Sequence, residues 1–96
     1  MSPKNKRKLN LIRIKLDKLD NKLLQLIKTR SNLVKEVLSV KEFKSEIVDK
    51  KRINFILSKI KLKSKKIRID PKITNRIWKN MIWSFIDFER RNFKKK

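Results

Sequence analysis

Residues 9–40, LNLIRIKLDKLDNKLLQLIKTRSNLVKEVLSV, decide the fold. Within them Leu9, Ile12, Leu16, Leu19, Leu23, Leu26, Arg30, Leu33, Val37 and Val40 recur at alternating spacings of three and four. That is a heptad stripe along one side of a helix. The pattern predicts one long helix from about residue 6 to about residue 42, and no glycine or proline interrupts it. Leu24, Ile27 and Val34 flank the stripe, so the apolar face is wider than a two-stranded seam and should meet more than one neighbour.

Working outward, Glu42 to Val48 lacks a clean periodicity and reads as a loop. Asp49 suits the start of a second helix, with Ile53, Ile56, Leu57 and Ile60 on one face. Lys61 to Arg68 reads as a basic connection. Ile69-Asp70-Pro71 is a start signal for a third helix, with Asp as N-cap and Pro at the first helical position. Ile73, Ile77, Met81, Phe85 and Phe88 carry that helix to about residue 92. The fold class is therefore all-α, a long, a short and a medium helix with no strand. Residues 1–96 form one domain, with 1–7 and 93–96 as frayed basic tails.

Composition narrows the chemistry. The chain has 96 residues, with no cysteine, histidine or glycine. Without cysteine there is no disulfide framework, thiol nucleophile or zinc knuckle. Without histidine the commonest general base and metal ligand is missing. Without glycine there is no glycine-rich phosphate loop. A chain this short buries a marginal core alone, and a dimer sharing one core would relieve that limit. No apolar run approaches the roughly 20 residues needed to span a bilayer, and none has signal-peptide form after the charged start, so a soluble cytoplasmic protein is expected. Lys and Arg number 30 against 9 acidic residues, a net charge of +21. That balance attracts anions of any kind. The predominance of Lys beside many Ile and Asn fits compositional drift as well as a polyanion partner.

Several polar residues stand where apolar ones belong. Arg30 occupies the seam among Leu, Ile and Val. A buried guanidinium needs an anionic partner, so Arg30 is either a structural ion-pair or register residue, or a ligand-binding Arg facing a cavity. Arg13 and Lys41 share one heptad position 28 residues apart, roughly 42 Å along a straight helix. One chain cannot bring both to a small ligand. An antiparallel two-fold centred near Ile27 would place Arg13 of one chain beside Lys41 of the other, making two composite sites. Glu89 lies in the row Trp78, Ile82, Phe85, Glu89. A carboxyl there either pairs with a cation, adjacent Arg90 or Arg91 among them, or stays protonated. Asp49 and Arg52, three apart, can pair on the helix surface.

These residues carry a resemblance. Leu11-Ile12-Arg13, Leu16-Asp17-Lys18-Leu19-Asp20, the run from Leu23 to Arg30, and Val34-Lys35-Glu36-Val37 with Lys41 resemble the first helix of the AroQ-class chorismate mutases. Ile47-Val48-Asp49-Lys50-Lys51-Arg52 is similar to the family's I-x-D-x-x-R segment. Ile69-Asp70-Pro71, Arg76-Ile77-Trp78 and Phe85 to Glu89 are similar to its C-terminal helix. The likeness runs in order over about residues 9–91, and the polar intrusions fall at the family's substrate positions.

The resemblance implies an intertwined antiparallel homodimer, each active site drawing on both chains. Arg13 would come from the partner chain and grip one substrate carboxylate, and Arg30 would hold the other. Lys41 would sit by the ether oxygen of the breaking bond, with Glu89 as second donor. Asp49 and Arg52 would line the ring side. Two positions depart from many members: Ile53 stands where a Glu binds the substrate hydroxyl, and Phe85 replaces a small polar residue. An apolar residue at 53 is similar to the related isochorismate-pyruvate lyases.

The implied reaction is the pericyclic rearrangement of chorismate to prephenate in the shikimate route to aromatic amino acids. It needs no nucleophile, metal or cofactor. The protein must hold a flexible dianion in its reactive conformer and stabilise charge growing on the ether oxygen. Three alternatives stand beside it: an isochorismate-pyruvate lyase of the same fold, a basic helical nucleic-acid-binding protein, and a structural helical dimer with no ligand. A nucleic-acid binder should carry its cations on outer faces, which does not account for Arg30 in the seam. Nucleic acid is therefore not the expected partner, and neither is a membrane.

Overall fold

The computed structural model describes residues 1–94. Helix α1 spans Pro3–Val40, a 3-10 turn spans Lys44–Glu46, α2 spans Lys50–Lys66 and α3 spans Pro71–Asn92. Among the described residues there is no strand. No helix among them is long and apolar enough to cross a membrane. Of the expected C-terminal tail, Lys95 and Lys96 lie outside the described residues.

Helix α1 starts three residues earlier than its apolar stripe suggests. Ser2 acts as its N-cap, accepting the Asn5 N–H on Oγ at 3.2 Å and the Lys6 N–H on its carbonyl at 2.9 Å. Pro3 then takes the first helical position, where a missing N–H is harmless. The helix stops at Val40 rather than near residue 42, and the Lys41 N–H closes the final turn on the Leu38 carbonyl at 3.2 Å.

The chain falls into two compact units, Met1–Leu33 and Val34 onward. The first is Met1, the Ser2 cap and the α1 helix as far as Leu33. From Leu11 to Leu33 its large apolar side chains remain 45–66% exposed, and α1 buries no residue. An isolated helix gains little stability in water without a packed apolar face.

The second unit holds the core. Ile47 from the loop, with Ile82 and Ile86 of α3, is buried, and Val48, Ile53, Ile56, Leu57 and Phe93 pack around them. The expected start of α2 is found: Asp49 accepts the Arg52 N–H on Oδ1 at 3.0 Å. Its expected end is corrected. Lys61 to Lys66 is helical, because lysine is a good helix former and cations suit a helix C-terminus. The helix closes in a Schellman arrangement: the Ile69 N–H reaches the Ser64 carbonyl at 2.9 Å and the Arg68 N–H the Lys65 carbonyl at 3.2 Å. Arg68 adopts φ 60°, where glycine is usual.

Asp70 and Pro71 open α3 as expected, with Asp70 Oδ1 accepting the Lys72 N–H at 2.9 Å. The short connection folds α3 back on α2. Ser64 and Thr74 share a buried hydroxyl–hydroxyl hydrogen bond of 2.7 Å between the two helices. The row of α3 that a single chain buries is Thr74, Ile82, Ile86 and Glu89, while Ile73 and Ile77 of the expected apolar stripe stay more than half exposed.

Candidate active site

The second unit contains a charged pair in a shielded setting. Lys41 follows α1 directly, and Glu89 lies on the inward face of α3, one turn from Phe85 and Ile86. Lys41 Nζ donates to both Glu89 oxygens, at 3.1 and 3.2 Å. The side chains are 17% and 6% exposed. A carboxylate so placed is stabilised by its cation, and removing either partner leaves an uncompensated charge in a shielded setting. The alternative in which Glu89 pairs with its neighbours on α3 is set aside. Arg91 Nε instead donates to Asp87 Oδ2 at 2.8 Å on the exposed surface.

The other expected site residues are distributed as follows. Arg13 and Arg30 belong to the first unit, Arg13 exposed and Arg30 partly buried. Asp49 and Arg52 meet at the start of α2, where the carboxylate receives the backbone N–H of Arg52 as an N-cap. Ile53, next along, packs on the core of Ile47, Ile82 and Ile86, so its apolar character has a packing role. Phe85 is partly buried on α3. The structure thus brings Lys41 to Glu89 and Asp49 to Arg52.

One contact was not foreseen. The Arg52 guanidinium carbon lies 5.5 Å from the centroid of the Phe55 ring, and Lys59 Nζ lies 5.6 Å from the same ring. The three- and four-residue spacings of 52, 55 and 59 would have allowed it to be found. A groove of about 350 Å³ runs between the end of α1 and the end of α3, lined by Lys35, Leu38, Phe88, Asn92 and Phe93 among others. None of the expected site residues lines it.

The Lys41 ammonium is the hydrogen-bond donor of the pair and the Glu89 carboxylate the acceptor, and in this shielded setting the bond between them acts more strongly than it would in water. The family model described as chorismate mutase type II matches residues 12–90, from the first half of α1 to near the end of α3. The chain belongs to the type II chorismate mutase family. It is an isomerase that converts chorismate to prephenate. No match is found among curated proteins or among solved structures. All eight expected site positions, from Arg13 to Glu89, lie inside the matched span.

Proposed function

We propose that the chorismate mutase works as an intertwined antiparallel homodimer with two composite sites. Each is made of Arg30, Lys41, Asp49, Arg52, Ile53, Phe85 and Glu89 of one copy and Arg13 of the other. The observation that supports this reading is the shielded Lys41–Glu89 pair, two polar groups held close together where little solvent reaches them. The uncovered apolar length of α1 supports the second copy: an exposed stripe of this extent is a surface that a partner of the same pattern would cover.

The chemistry then follows from the residues. Chorismate carries two carboxylates, and two arginines match them with charge-assisted, bidentate-capable hydrogen bonds. Gripping both ends holds the chain that must fold over the ring, which converts a floppy dianion into a reactive conformer. As the C–O bond breaks and the new C–C bond forms, negative charge grows on the ether oxygen. Lys41 donates to it from one side, and the Glu89 side chain, a donor only when its carboxyl is neutral, is the second group placed to meet it. Both bonds strengthen toward the transition state, which is what accelerates a unimolecular step.

The test is to supply the purified chain with chorismate and, separately, with isochorismate. Prephenate from chorismate, with no release of pyruvate from isochorismate, is the expected result. Pyruvate release without prephenate formation would overturn it.

A further inference from the structure

Phe55 lies off the packed face of α2. Ile53, Ile56 and Leu57 turn toward the core, while Phe55 is 54% exposed. The ring takes no part in the core that its own chain builds. What it touches is charge: Arg52 lies one turn before it and Lys59 one turn after, at 5.5 and 5.6 Å from the ring centroid. Arg52 is also tied at its backbone, where its N–H meets Asp49 Oδ1 at 3.0 Å.

We infer that Phe55 is a positioning residue for Arg52, holding its guanidinium against the ring so that it is already oriented when the substrate arrives. This rests on the reading that Arg52 lines the substrate ring. An arginine side chain has several free torsions, and the freedom it loses on gripping a ligand weakens binding. A planar guanidinium stacks on an aromatic face and is less strongly hydrated than an ammonium, so of the two cations on this ring Arg52 gains more. The ring thus restricts Arg52 before binding. The benefit falls on substrate and transition state alike, so it enters KM and leaves kcat unchanged.

The experiment is a double-mutant cycle on the full chain, reading kcat and KM for chorismate. Phe55→Leu keeps an apolar, helix-favouring side chain at an exposed position and removes the π face. It should raise KM about two- to five-fold, the range of an exposed cation–π contact, with kcat unchanged. Phe55→Trp, which offers a better ring, should restore KM or lower it. In an Arg52→Gln background, itself impaired, Phe55→Leu should leave KM where it is, because the group it acts through is gone. An equal KM rise in both backgrounds, or no rise with Arg52 intact, overturns the proposal. If Arg52→Gln alone leaves kcat/KM unchanged while prephenate is still made, the placement of Arg52 in the site fails and the proposal fails with it. If no background makes prephenate, it is the functional reading itself that fails.

Discussion

Lys41 and Glu89, 48 positions apart in the chain, are joined through one ammonium that meets both carboxylate oxygens, at 3.1 and 3.2 Å. The contact ties the residue just after α1 to the inward face of α3. In the proposed site such a pair would serve structure and chemistry at once, and substitutions at either end separate the two. Glu89→Ala leaves Lys41 shielded and uncompensated, so it should destabilise the protein by about 3–5 kcal/mol and also be a poor catalyst at every pH. Glu89→Gln also leaves the Lys41 charge uncompensated but keeps an acceptor for its N–H groups, so it should cost less stability than Glu89→Ala.

The same pair makes a prediction about hydrogen bonding. A side-chain amide at position 89 can donate to the ether oxygen, which a carboxylate cannot. Glu89→Gln should therefore keep activity that Glu89→Ala loses, read in the same chorismate assay. Equal activity of the two variants would leave Glu89 as a purely structural partner of Lys41.

Arg30 interrupts an otherwise apolar row of α1 and is partly buried. Arg30→Leu restores the row, so the chain should still fold and associate. In the proposed site a substrate carboxylate then loses a charge-assisted, bidentate partner worth about 3 kcal/mol, so catalysis should fall by roughly a hundredfold or more. Circular dichroism with a chorismate assay on the same preparation decides. Unfolding, with full activity in whatever remains folded, would make Arg30 a structural ion-pair residue instead.

Arg68 supplies a stability prediction independent of the site. It holds φ 60° at the end of α2, a conformation that disfavours any residue with a β-carbon. Arg68→Gly should stabilise the fold by about 1 kcal/mol, read as a rise in melting temperature at equal protein concentration. A fall in melting temperature would show that the side chain contributes more than the backbone strain removes.

How much of this could be read from the sequence differs by element. The body of α1 was legible because a heptad stripe over some thirty residues admits no other regular structure. The start of α3 was legible from Asp70 and Pro71. The second half of α2 was not, because Lys61 to Lys66 looks like a solvated connection when charge is weighed above helix propensity. Its stop was hidden too: the chain has no glycine, so Arg68 takes the left-handed position without the usual signal. At the site, Lys41 and Glu89 were each singled out by position. Their contact was not, since it depends on how the end of α1 meets α3, and local spacing instead suggested Arg90 or Arg91 as the partner of Glu89.

Assembly is accessible by sedimentation at micromolar concentration. The exposed Leu and Ile side chains of α1 predict two chains per particle, with folding and association coupled, so dilution should cost helicity as well as mass. A well-folded, fully active monomer would contradict the shared site.

The most direct test of that site uses two inactive variants. Arg13→Ala and Lys41→Ala should each abolish nearly all activity alone, because every site in either homodimer lacks one residue. Mixed and allowed to exchange subunits, they form heterodimers in which one of the two sites regains both side chains. The account predicts that the mixture recovers a substantial fraction of wild-type activity. Verified heterodimers with no recovery would contradict it.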